Sequence, residues 1–209
     1  MTRPKRAARK PPRAYHHGNL RRALLDEAVA TIRNEGVSAL TLREIGSRLG
    51  VSRTALYRHF ADKNALLAAV ATEGFRMLRE QTFAAWEKGG RNRAAFESMG
   101  VAYVRFAVAN PSHYRVMFGG FVNAGARDPE LASEGEAAFR VLVDALAALQ
   151  RDAVMRADDT VVMARFVWSV VHGVAMLAID GQVHGPEGVE ELLRYALERL
   201  RTGIESDTV

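Results

Sequence analysis

The sequence predicts an all-α protein, and three observations carry that prediction. Apolar residues recur at helical spacing in segment after segment, and no stretch alternates with the two-residue period of a strand. Capping residues, glycines and prolines fall at the ends of those segments, where helices start and stop. The 209 residues are 48% hydrophobic, enough to bury a core and too much for a disordered chain. About nine helices are expected, divided between a small N-terminal head and a larger C-terminal domain. There is no cysteine, which excludes a disulfide framework and thiolate metal sites and suits a reducing cytoplasm.

Residues 1–14 read as a disordered basic arm. Arg3, Lys5, Arg6, Arg9, Lys10 and Arg13 precede any acidic residue, and Pro4, Pro11 and Pro12 oppose helix. Setting those six aside leaves 23 basic against 24 acidic residues, so the net charge of +5 belongs to the arm. The arm lacks the apolar run of a signal peptide. It suits either a solubilising end or a segment laid on DNA phosphates or in the minor groove.

A first helix is expected from His17 to Glu35, with Leu20, Leu24, Ala28 and Ile32 on one face and Gly36 as its stop. Thr41 caps a second helix, and Glu44 is placed to complete a capping box. Leu42, Ile45 and Leu49 form the buried face of that helix, and Gly50 ends it. Ser52 caps a third helix that buries Leu56 and Phe60. The opposite face carries Arg53, Thr54, Tyr57 and Arg58 and nothing acidic. Two short helices joined by such a turn make either a solvated hairpin or a helix–turn–helix, which presents its second helix to the major groove.

The residues Val51-Ser52, Leu56-Tyr57, His59-Phe60 and Lys63 resemble, in order and spacing, the signature of TetR-family transcriptional regulators. Tyr15-His16-His17-Gly18-Asn19-Leu20 resembles the lead-in of many members. The specific likeness covers residues 15 to 70. It implies a DNA-binding domain over 15–62, an effector-binding and dimerisation domain over 63–209, and binding to an inverted-repeat operator. By the same resemblance, Arg43, Arg53, Thr54 and Tyr57 are candidates for reading bases, and Tyr57 alternatively for phosphate. Thr41, Ser52, His59 and Lys63 are candidates for phosphate. Arg53 opens the recognition helix, which suits a bidentate contact to guanine.

Asp62 caps a fourth helix running from Lys63 to about Trp86, where Gly89-Gly90 breaks it. A fifth runs from Arg93 to Asn110 before Pro111, and a short sixth from Ser112 to Phe118. Gly119 to Asp128 is a loop with three glycines. Asp128-Pro129 starts a seventh helix that reaches about Arg151. Asp158 or Asp159 opens an eighth, to about Gly181. Pro186 opens the last, striped by Val189, Leu192, Leu193, Ala196, Leu197 and Leu200.

The eighth helix, Val161 to Ile179, is apolar almost all round, as a buried helix or a membrane span would be. Arg165 and His172 make insertion into lipid costly, so burial by the domain and by a second subunit is expected. With the last helix it would form a four-helix dimer interface using Val167, Val171, Val174, Leu192, Leu193, Ala196, Leu197 and Leu200. The family resemblance implies the same mode of homodimerisation. Trp168, His172 and Gly173 are similar to the Trp-His-Gly signature of one C-terminal subclass. Arg165, Ser169 and His172 form one polar stripe, which faces either a ligand cavity or a satisfied structural network.

The resemblance further implies an effector pocket in the larger domain. Its candidate walls are Phe75, Leu78, Tyr103, Phe106, Tyr114, Met117, Phe118, Phe121, Phe166 and His172, which suit a largely apolar small molecule. Tyr103, Tyr114 or His113 could give it a hydrogen bond. No cofactor is expected. No metal-binding pair, nucleophile elbow or phosphate-cradling loop stands in the sequence, so an enzyme is a remote alternative and a non-specific architectural DNA binder a nearer one. The family default is a cytoplasmic repressor released by its effector. Effector identity, operator sequence and the sign of regulation are not written in the sequence.

Overall fold

The structure is a computed structural model that describes residues 20–122 and 128–205. The basic arm, the lead-in residues Tyr15 to Asn19 with the predicted start of the first helix, and much of the glycine loop lie outside the described residues. Among the described residues there are nine α-helices and no strand, only an isolated antiparallel bridge between Met155 and Glu205. The helices are α1 (Leu20–Glu35), α2 (Leu42–Leu49), α3 (Arg53–Tyr57), α4 (Lys63–Lys88), α5 (Arg93–Ala109), α6 (Pro111–Phe118), α7 (Pro129–Arg151), α8 (Thr160–Ile179) and α9 (Gly185–Ile204).

Side chains cap the helix starts where the sequence places them. Thr41 Oγ1 accepts from Glu44 N (3.2 Å), Ser52 Oγ from Ala55 N (3.2 Å), Asp62 Oδ1 from Ala65 N (2.8 Å), and Asp159 Oδ1 from Val162 N (2.9 Å). Asp128 caps α7 in the same way, with Pro129 in the first turn. Each cap satisfies an N–H that the first turn leaves without an intrahelical partner. The capping box at Thr41 is a correction. Glu44 turns its carboxylate to Arg48 Nη2 (2.8 Å), drawn by a full positive charge.

The chain divides into two compact units, at Leu66 and Leu67. In the N-terminal unit, Leu24, Leu25, Ala28 and Ile32 of α1 bury against Leu42 and Ile45 of α2 and Leu56 of α3. Leu20 and Leu49, expected in this core, are only half-buried. Gly46 lets α2 and α3 meet, since a Cβ there would stand 2.9 Å from Leu56 Cδ1. Gly50 takes the turn between them at φ 66°. Arg48 ties the helices from outside, with Nη2 on Glu35 Oε1 (2.6 Å) and Nη1 on Thr31 Oγ1 (3.3 Å).

The C-terminal unit packs α8 against α5, α7 and α9. One half of its core gathers Trp86, Phe96, Leu146, Leu149, Met163 and Leu200; the other gathers Phe106, Tyr114, Val171, Val174 and Leu193. By length and composition α8 could span a membrane, but one face of it is built into this core. It is not buried all round within the protomer: Val161, Val162, Phe166 and Leu177 are exposed.

That division of α8 corrects the interface residues. Val167, Val171, Val174, Leu193, Ala196 and Leu200 are all buried inside the protomer, and Leu192 and Leu197 are half-buried. The six buried residues have no surface to give a second subunit. In α8, apolar on both sides, the sequence pattern does not tell the inner face from the outer, and the one apolar stripe of α9 is taken up by the protomer's own core.

Candidate functional site

Two sites stand out, one in each unit. In the N-terminal unit, Ser52 accepts a bond from Ala55 N and starts α3 beside the buried anchor Leu56. With Leu56 and Phe60 inward, helical geometry turns Arg53, Thr54 and Tyr57 to solvent, and all three are exposed. Arg43, Thr41 and His59 are exposed as well. Arg53 and Arg43 have no ion-pair partner among the described residues, so both guanidinium groups keep their donors. The surface therefore combines cationic forks, hydroxyls and an aromatic ring without a carboxylate between them. Such a surface offers donors to base edges and phosphates. Arg21 stacks over the Phe60 ring at 5.5 Å, which fixes the base of the same surface.

Lys63 differs from the others. Its Nζ donates to the carbonyl oxygens of Val37 (2.9 Å) and Ser38 (3.3 Å), and so pins the α1–α2 connection to the start of α4. Its role in the isolated chain is structural.

In the C-terminal unit, a cavity of about 380 Å³ lies between α4, α5, α7, α8 and α9 and the end of α6. Of the ten predicted wall residues, Phe75, Leu78, Tyr103 and Phe118 line it. The other six do not. Phe106 and Tyr114 are packed into the core behind it, and Met117 fills the notch left by Gly74. Phe121 (46% exposed) and Phe166 (50%) point outward. His172 sits one layer back, bonded to a lining tyrosine. His113 is also buried away from the cavity, 3.8 Å from Glu73.

The walls that sequence reasoning missed come from three sources. On α7, Gly135, Ala138, Phe139 and Leu142 follow helical spacing, a small-and-aromatic stripe that could have been read as an inward face. Trp168 contributes a large aromatic wall against Phe118 and Phe139. Val167, Val171, Leu197 and Leu200, expected at the dimer interface, line the cavity instead.

Behind the aromatic wall runs a chain of hydrogen bonds. Trp168 Nε1 donates to Tyr103 Oη (2.9 Å), which lies 2.9 Å from Tyr114 Oη, itself 2.7 Å from His172 Nδ1. Burial lowers the His172 pKa, pushes the Tyr103 hydroxyl up to about 12, and raises that of Tyr114 further. Trp168 donates to Tyr103, either tyrosine can donate in the bond between the two hydroxyls, and a neutral imidazole protonated on Nε2 leaves Nδ1 to accept from Tyr114. The predicted stripe therefore splits: His172 joins this network, whereas Ser169 is exposed and bonds its own helix, and Arg165 reaches the cavity rim.

Comparison with known proteins matches two family descriptions to this chain. Residues 24–70 match "Bacterial regulatory proteins, tetR family", and residues 96–200 match "Tetracyclin repressor-like, C-terminal domain". A solved protein of unknown function from Rhodococcus sp. RHA1 is 32% identical, covering 93% of this chain and 100% of that one, with a TM-score of 0.82. An uncharacterized HTH-type transcriptional regulator of Mycobacterium tuberculosis is 28% identical over 86% of this chain and 75% of its own length. A TetR family transcription regulator from Marinobacter aquaeolei VT8 shares the fold, with a TM-score of 0.70 at 18% identity over 90% of this chain and 96% of that one.

Proposed function

The chain belongs to the TetR family of bacterial regulatory proteins, and from that membership we propose a ligand-responsive repressor that binds an inverted-repeat operator as a homodimer. That it is a transcriptional regulator follows from the family; operator, dimer and ligand response are our reading. The carrying observation is the exposed, acid-free face of α3, with Arg53, Thr54 and Tyr57 raised on the buried anchor Leu56. Residues 15–62 serve as the DNA-binding domain, with Arg43, Arg53, Thr54 and Tyr57 toward bases and Thr41, Ser52 and His59 toward phosphate. Lys63 keeps one ammonium hydrogen for a phosphate once its two carbonyl bonds are made.

Residues 63–209 bind effector and dimerise. The second subunit covers the exposed face of α8 (Val162, Phe166 and Leu177) and Tyr195 of α9, large apolar side chains that stand in solvent in the single protomer. The effector is a small, largely apolar molecule held in the cavity. It acts by preferring one of two arrangements of the dimer, the one that releases DNA. The work is binding and not catalysis, and its place is the cytoplasm.

Gel-shift titration on the protein's own upstream DNA, against a shuffled duplex of equal length, tests this reading. We expect a preference of about 10³-fold or more at physiological salt. Equal affinity for both duplexes, falling together as salt rises, would instead identify an architectural binder that uses charge alone.

A further inference from the structure

The polar groups that touch the cavity fall into two sets. Along the aromatic wall every hydrogen-bonding group is already engaged. Trp168 Nε1 is bonded to Tyr103, the Tyr103 hydroxyl lies between Trp168, Tyr114 and His172, and Thr82 Oγ1 donates to Leu78 O. A ligand polar atom placed here would lose its water and meet groups that are already bonded to one another. This wall selects an apolar body.

The second set is charged: Arg93, Glu97, Arg165, Arg201 and Glu205. Glu205 is shared, with Oε1 on Arg93 Nη1 (3.2 Å) and Oε2 on Arg201 Nη1 (3.3 Å). Arg165 has no ion-pair or hydrogen-bond partner among the described residues, although it lines the cavity beside Trp168 and reaches solvent. Glu97 is the remaining carboxylate, so the set keeps one positive charge in excess. The lining of α5 runs from Arg93 to Tyr103, about 15 Å of helix. The volume of about 380 Å³ holds roughly a dozen water- or methylene-sized groups.

We propose that the effector is an elongated apolar molecule ending in a carboxylate, its body against the aromatic wall and its anion on Arg165. Arginine suits this, since its planar fork can hold both carboxylate oxygens. The proposal rests on the ligand-responsive reading above and narrows its chemistry.

Three probes that differ only at one end test it by calorimetry on the full chain: decanoate, decanol and decyltrimethylammonium. Decanoate should bind about tenfold more tightly than decanol, with the cation weakest. Arg165→Gln, at an exposed position without a partner among the described residues, should bring decanoate down to decanol and leave decanol unchanged. Gly135→Leu, which fills the cavity beside Phe75, should abolish binding of all three. Decanol binding as tightly as decanoate, or a decanoate preference that survives Arg165→Gln, overturns the carboxylate assignment alone. Tightest binding of the cation overturns it too, in favour of Glu97 and the rings. Binding that survives Gly135→Leu places the probes elsewhere, and no binding by any probe sinks the ligand reading with it.

Discussion

Arg53 stands in the first turn of α3, exposed and without an ion-pair partner among the described residues, and we propose that it reads a base there. Arg53→Ala should cost about 1–3 kcal/mol on the preferred operator and relax base preference at one position per half-site. Uniform weakening across a panel of operator variants would reassign it to phosphate. Lys63 should behave differently, because its ammonium holds the Val37 and Ser38 carbonyls. Lys63→Ala should lower thermal stability by about 1 kcal/mol as well as affinity, so calorimetry without DNA separates the two roles. An unchanged melting temperature would leave phosphate as its whole role. At His172, burial keeps the native pKa below the usual 6.5, so the unfolded chain takes up the proton more readily. Stability contributed by the neutral imidazole is therefore present above about pH 6.5 and lost as pH falls toward the lower native value. His172→Gln should flatten that part of the melting-temperature profile between about pH 7.5 and pH 5.5 relative to the parent chain. Superimposable profiles would show that the imidazole is not held neutral.

Among the elements, α8 shows most clearly what a sequence can and cannot say. Its start at Asp158 or Asp159 was legible, because a carboxylate just before an apolar run is a local signal that acts through one backbone N–H, and Asp159 makes that bond. The same holds for Thr41, Ser52, Asp62 and Asp128. Its facing was not legible. With apolar residues on every side, the pattern has no polar stripe to mark the outside, and Val167, Val171 and Val174 were placed on a dimer surface although they face the protomer's own core. The short α3 gave no such trouble: Leu56 faces inward and Arg53 and Tyr57 outward, as the spacing requires, whereas the single apolar stripe of α9 serves the protomer's own core. The cavity was legible only in part for a related reason. Phe75, Leu78, Tyr103 and Phe118 were found as aromatic or bulky residues, but a cavity is also made by what is small, and Gly135 and Ala138 of α7 carry no such signal. The facing of α8 now yields its own prediction. Phe166→Glu places a charge on the outer face and should weaken self-association by about 2 kcal/mol or more in analytical ultracentrifugation. The protomer fold should survive, since Phe166 is half-exposed. A dimer indifferent to this change would have to use another surface.

At the scale of the whole molecule, the chain divides between Leu66 and Leu67 into two compact units, one bearing the α3 face and the other the cavity. The family was legible from residues in the smaller unit, where Val51 to Lys63 carry short-range constraints of cap, turn and anchor. The larger unit builds its site from six helices far apart in sequence, and one chain gives no measure of which residues meet. We propose that the units are joined by function: two copies would present paired recognition helices to an inverted repeat, and a ligand in the larger unit would change how well that pair fits. Native mass spectrometry of the protein on its own upstream duplex tests this most directly. We predict two chains, or a multiple of two, on each inverted repeat, and stepwise loss of that complex when one half-site is scrambled. A single chain per duplex, or complexes of equal abundance on intact and scrambled repeats, would contradict it.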